Sequence, residues 1–212
     1  MPGDGPATGY SCAMPGGWAL LDGQAQRRAS SVRRAVRDRV RRDRRLAPHI
    51  AHLDRLLTHE CAVAAARGAL WVSLLAEPAD GRVLTAAATF TVADLERGSS
   101  EPTAGELLDH VAPEHGCTAA ADPSAYLRVV TLPQQQGVVR HWRQAGAYGG
   151  ESRVTHHIWQ LMLPWPGRPA AGLLTYSTPC EPLRAGIAGL FEACGQSFRW
   201  TWEGQAPGGR SD

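Results

Sequence analysis

The sequence predicts an α+β fold in which an antiparallel sheet of about six or seven strands packs against helices. Three observations lead there. Apolar, β-branched runs arrive in consecutive pairs around short Pro- and Gly-containing turns. Two helical stretches sit together ahead of most of the strands and do not alternate with them. An amphipathic helix closes the chain.

In order, 17–22 reads as a first strand ended by the turn pair Asp22-Gly23. Ala25, Ala29, Val32, Val36 and Val40 then recur at spacings of four and three, which places them on one helical face with arginines on the others. Pro48 interrupts the run. Leu46, Ile50, Leu53, Leu57, Cys61 and Ala64 resume the rhythm as a second helix, with Gly68 as its C-terminal stop. Residues 70–75 and 83–92 flank Pro78-Ala79-Asp80-Gly81 as a hairpin. A short helix is expected over 103–111, stopped by Pro113, with a loop over 114–123. Residues 126–132 and 138–143 form a second hairpin, and 153–163 and 172–177 a third, around Pro164-Trp165-Pro166-Gly167. For the last helix Thr178, Pro179 and Glu181 fit the N-cap, first-turn and N3 positions of a capping box. Leu183, Ile187, Leu190, Phe191, Cys194 and Phe198 form its apolar face, which must lie on the sheet.

The chain has 212 residues, 43% hydrophobic and 20% charged. That is ordinary globular usage, and it leads us to expect one domain over 17–202 between unstructured tails at 1–16 and 203–212, both rich in Gly, Pro and Ser. Net charge is only +2, too small by itself to imply a nucleic-acid or membrane partner. Cys12, Cys61, Cys117, Cys180 and Cys194 are scattered without a C-x-x-C pair, so neither a disulfide framework nor a zinc cluster is indicated and no cofactor is expected. Residues near the start show no basic segment followed by an apolar one, and no run approaches the ~20 apolar residues that span a bilayer. Cytoplasmic residence without a transmembrane segment is the resulting expectation.

Ten of the 22 basic residues, all of them arginine, fall between positions 27 and 45. Arg33, Arg34, Arg37, Arg41, Arg42 and Arg45 are the candidate partner surface of this block. Clustered guanidiniums suit an acidic protein, a nucleic-acid backbone or an anionic lipid surface. They equally suit a plain solvated face whose long stems cover apolar neighbours. The apolar stripe of small Ala and Val is thin for membrane insertion. Trp142, Trp159 and Trp165 lie on or beside neighbouring strands and are candidates for a partner groove, although such residues are more often core. Trp18, Trp71 and Trp200 are assigned to the core.

Candidate catalytic groups are weaker. Gly9-Tyr10-Ser11-Cys12-Ala13 lacks the strand-to-helix context of a nucleophile elbow. His156 and His157, adjacent on a strand, point to opposite faces and cannot share a metal. His110, His115 and Cys117 are irregularly spaced, and no fourth ligand accompanies them. A site assembled from distant loops near His115, His141 and His157 is the one enzymatic alternative.

The C-terminal stretch Leu163-Pro164-Trp165-Pro166-Gly167, Gly172-Leu173-Leu174-Thr175-Tyr176-Ser177-Thr178-Pro179, Leu190-Phe191-Glu192-Ala193 and Ser197-Phe198-Arg199-Trp200 resembles the closing hairpin and helix of PsbP-like folds, the LpqN-type and DcrB-type proteins among them. The remaining layout is similar to uncharacterised proteins of high-GC bacteria, some associated with type VII secretion loci. The resemblance implies a non-catalytic binding or accessory role through protein contacts or self-association. It supplies no catalytic residue. The alternatives are nucleic-acid or anionic-surface binding through the arginine block, and an enzyme.

Overall fold

The computed structural model describes residues 6–14, 16–21, 25–79, 82–95, 100–122, 124–148 and 152–203. The chain order is β1 (Gly9–Ser11), β2 (Ala19–Leu21), α1 (Ala25–Arg42), a 3₁₀ turn (Arg44–His49), α2 (Ile50–Ala66), β3 (Ala69–Ala79), β4 (Arg82–Asp94), α3 (Ala104–Ala121), β5 (Tyr126–Thr131), β6 (Gln136–Tyr148), β7 (Ser152–Pro164), β8 (Ala170–Thr178), a second 3₁₀ turn (Glu181–Leu183), α4 (Arg184–Ser197) and β9 (Arg199–Thr201). Seven strands form one sheet in the order β2-β3-β4-β8-β7-β6-β5, antiparallel at every junction. The expected α+β class and all three hairpins are therefore observed. Strand β8 closes the sheet by pairing with β4 as well as β7, a non-local contact that hairpin logic does not reveal.

Because side chains alternate along a strand, the sheet has two separately furnished faces. On the first, Phe90, Trp159, Leu161, Leu163, Leu174 and Tyr176 meet Ile187, Phe191 and Cys194 of α4. Gly172 makes this possible, since a Cβ there would lie 2.8 Å from the ring of Phe90. On the second face, Val72, Leu74 and Ala76 of β3 meet Leu53, Leu57 and Cys61 of α2, with Val32 and Val36 of α1 in the same cluster. Helix α3 covers the far end, setting Ala104, Leu107 and Val111 on Val138, Met162 and Ala171. The middle of the second face lies between these two covers.

Three local expectations are corrected. The helix expected to stop before Pro113 continues to Ala121 with Pro113 inside it. Pro113 and Asp109 are both exposed, so the carbonyl deprived of its donor can turn to water. The capping box expected at Thr178 is absent. Thr178 ends β8, fully buried, and its hydroxyl donates to Thr85 O at 2.7 Å and accepts from Cys180 N at 3.0 Å. Helix α4 begins only at Arg184. The reciprocal box occurs at Thr103 and Glu106 instead: Glu106 N donates to Thr103 Oγ1 at 3.2 Å, and Thr103 N donates to Glu106 Oε2 at 2.7 Å. Lastly, part of the segment expected to be a tail is structured. Strand β1 pairs with β9, Ala7 is fully buried, and Tyr10 packs 4.2 Å from Phe90, centroid to centroid.

Candidate functional site

The arginine block folds as expected, into α1 and the turn after it, and divides by direction. Arg39 faces the sheet, donating from Nε to Ala76 O at 2.9 Å and pairing with Glu77. Arg41 pairs with Asp38. Arg45 grips Asp43 through Nε at 3.0 Å and Nη2 at 2.7 Å, which holds the Asp43 carboxyl below its ordinary range. Arg33, Arg34, Arg37, Arg42 and Arg44 are exposed and have no acidic partner among the described residues. Ile50, just after the turn, is 44% exposed. With Val40, Arg34, Arg37, Asp38 and Arg41 it lines a shallow depression.

The three candidate tryptophans separate. Trp159 and Trp165 are buried, the first 4.8 Å from His141 and the second 4.6 Å from Trp200 by ring centroids. Trp165 Nε1 also donates to Ala7 O at 3.0 Å. Neither reaches a partner surface, because both complete the first-face core. Trp142 is half-buried on the second face, with the guanidinium of Arg140 4.5 Å above its ring. Trp18 and Trp71 pack half-buried at the margin of the first-face core.

His141 and His157 do come together. Their rings stack in near-parallel planes 5.9 Å apart on the first face. His141 Nδ1 bonds to Ser124 O at 3.1 Å and His157 Nε2 to Glu181 at 2.6 Å. Their remaining nitrogens, His141 Nε2 and His157 Nδ1, are buried without a partner. Burial pushes His141 below its ordinary value, the Ser124 carbonyl opposing. Close by, Asp122 is buried; that burial alone raises its carboxyl, but hydrogen bonds from Ser124 and from the Arg143 amide bring it below the ordinary range. His115 lies on α3, beside Arg140 and across the sheet, so the constellation imagined around His115, His141 and His157 does not assemble. Burial, then Arg140, lowers His115. His156 is on the opposite face from His157, as alternation requires. No group of three or more metal-binding side chains occurs among the described residues, and the Cys117 side chain lies outside them.

The feature that sequence reasoning missed is the uncovered middle of the second face. Between α2 and α3 the sheet carries a groove of about 320 Å³. Thr89, Arg140, Trp142, Gln160, Thr175 and Ser177 furnish its floor, and Glu60, Val63 and Ala64 of α2 with Arg67 just beyond its end form one wall. Across the floor runs a polar ladder between residues in direct register: Arg140 opposite Gln160, Gln160 opposite Thr175, Thr175 opposite Thr89. Arg140 Nε donates to Gln160 Oε1 at 2.9 Å, and Gln160 Nε2 donates to Thr175 Oγ1 at 3.0 Å. The signal was present as alternate polar residues on four strands, but an alternating strand reads the same over a groove as over open solvent.

The fold is thus an α+β sandwich with one face sealed and the other split by a polar groove, and the described residues include no helix long and apolar enough to cross a membrane. No known family model matches the chain, nor does any curated protein. Among solved structures it is similar to LpqN, a protein involved in cell envelope biogenesis of Mycobacterium tuberculosis, at 11% identity over 94% of this chain and 87% of that one, with a TM-score of 0.48. A likeness of that degree says nothing about function.

Proposed function

We propose that the chain is a non-catalytic accessory protein that docks an acidic partner protein on the outer face of α1. The observation carrying this reading is the set of exposed arginines without acidic partners among the described residues, Arg33, Arg34, Arg37, Arg42 and Arg44, of which Arg34 and Arg37 line a depression with the exposed Ile50. Guanidiniums fork onto carboxylates and tolerate desolvation better than ammonium groups, so such a face gives both steering and contact. The apolar carbons of Ile50 and Val40 favour a protein over a phosphate backbone, which offers them little to cover.

The test uses the full chain and an Arg34→Glu, Arg41→Glu double variant. Both are presented to an extract of the native host, and to duplex DNA and anionic vesicles as competing classes. The expected result is a stoichiometric acidic protein retained by the wild type and lost from the variant. Equal retention by both chains, or tighter binding to DNA or vesicles than to any host protein, overturns the reading.

A further inference from the structure

We propose that the groove between α2 and α3 is a binding site for a small monocarboxylate with an apolar body, held by Arg140. This inference is independent of the docking face on α1, with which the groove shares no residue.

The first argument is the cost of the floor. On either side the second face is apolar, with Val72 and Leu74 under α2 and Val138 and Met162 under α3. Between them stand a guanidinium, an amide and several hydroxyls where aliphatic residues would let the helices close over the sheet. Polar groups retained in a semi-enclosed site against folding stability are a mark of function.

The second argument is preorganisation. The Arg140 side chain is 18% exposed. Its plane is fixed from one side by the Trp142 ring at 4.5 Å and along its length by the Nε bond to Gln160, itself anchored to Thr175. The terminal Nη edge, which among the described residues meets only a long contact to Glu114, suits a planar oxyanion, the geometry in which guanidinium and carboxylate form two parallel bonds. The carboxylate now nearest to it, Glu114, is 3.5 Å from Nη1 and 79% exposed. A contact of that length and exposure is weak, and an incoming carboxylate can displace it.

Size and charge narrow the ligand class. About 320 Å³ is the low end of small-molecule pockets, so a macromolecular segment is a poor fit. Val63, Ala64 and Ile158 offer apolar contact, while the hydroxyls of Thr89 and Ser177 can mark a polar substituent. The charges at the groove nearly balance: Arg140 and Arg67 line it against Glu60, and Glu114 stands 3.5 Å from Arg140 outside the lining. The wall formed by α2 is its C-terminal half, whose dipole is negative. Among the described residues lining the space, none belongs to a helix N-terminus. Those features favour a single negative charge over a doubly charged phosphate.

The experiment titrates the full chain with hexanoate and 3-phenylpropionate, with their primary amides, and with phenyl phosphate. Binding is followed through the side-chain amide of Gln160 and the indole N–H of Trp142 in two-dimensional NMR spectra. Saturable shifts of both signals by the carboxylates are expected, with the amides and phenyl phosphate weaker by about tenfold or more. Arg140→Met should remove binding. Ala64→Phe, which fills the groove from the helix wall and leaves Arg140 untouched, should do the same and decides the matter if the Arg140 variant fails to fold. No saturable shift with either carboxylate, equal binding of an amide or of phenyl phosphate, or wild-type affinity in Ala64→Phe overturns the proposal.

Discussion

Tyr176 donates its phenolic hydrogen to the Cys194 thiol at 2.8 Å, joining the centre of the sheet to α4 through a polar contact inside the first-face core. The Cys194 sulfur also donates to Ala13 O at 2.9 Å and touches the Cys12 thiol. The hydrogen bond from Cys12, opposed by burial and aided by Tyr176, brings Cys194 down to about 7. The 13Cβ shift of Cys194 followed against pH should therefore titrate near neutrality. Cys12→Ala and Tyr176→Phe, which each remove a donor to the Cys194 sulfur, should each move that midpoint upward, and an unmoved midpoint in both would refute the coupling.

Phe191 is 2% exposed and meets Tyr176 edge-on at 5.8 Å. Its replacement by Ala leaves a cavity under α4 and should cost about 3–5 kcal/mol. Urea denaturation followed by tryptophan fluorescence measures the loss. A cost below about 1 kcal/mol, the range of a surface change, would mean that α4 is not clamped to the sheet.

His115, His141 and His156 all lie below the ordinary histidine value, burial being the largest cause for each. As pH falls, the unfolded chain protonates these imidazoles first, near 6.5, while the folded chain resists. The stability they contribute is therefore complete above about pH 6.5 and declines below it, toward their depressed folded values. The urea midpoint should be lower at pH 5.5 than at pH 7.5, and His141→Asn, which keeps a donor for Ser124 O, should flatten that dependence. A midpoint that rises on acidification contradicts the sign.

Thr103 and Thr178 stand at the head of the same Thr-x-x-Glu pattern, yet only the first caps a helix. Thr103→Ala should cost about 1 kcal/mol and raise the Glu106 carboxyl only part of the way toward its ordinary value, because it removes the hydroxyl while the residue-103 amide, the larger cause of the lowering, stays. Thr178→Ala should cost about 1–3 kcal/mol, because it strips a partner from a buried carbonyl. It should leave the Glu181 carboxyl, lowered first by His157, where it is. Carboxyl titration by NMR distinguishes the two sites.

That pair of threonines shows where sequence reading reached its limit. Local signals placed the hairpins, the helical pair, the Gly68 stop and the apolar face of α4, because each depends on residues a few positions apart. The cap at Thr178 was misplaced because a non-local partner, Thr85 O, claims its hydroxyl, and nothing near Thr178 reveals that the strand runs on. The pairing of Gly9–Ser11 with Arg199–Thr201 was hidden for the same reason. At the candidate sites, the arginine face was legible as composition. The groove was not, because it exists only where two helices 38 residues apart in the chain at their nearest ends stop short of each other over β7 and β8.

The pairing of β1 with β9 has a practical corollary. Thr8 N donates to Thr201 O at 2.9 Å, so a domain fused upstream and one fused downstream would leave from neighbouring points on a single edge. A short peptide bridging these points could close the polypeptide into a ring or permit new ends to be cut elsewhere. Conversely, clipping ahead of residue 17 would remove Tyr10 and unroof the rings of Phe90 and Phe198 that it covers.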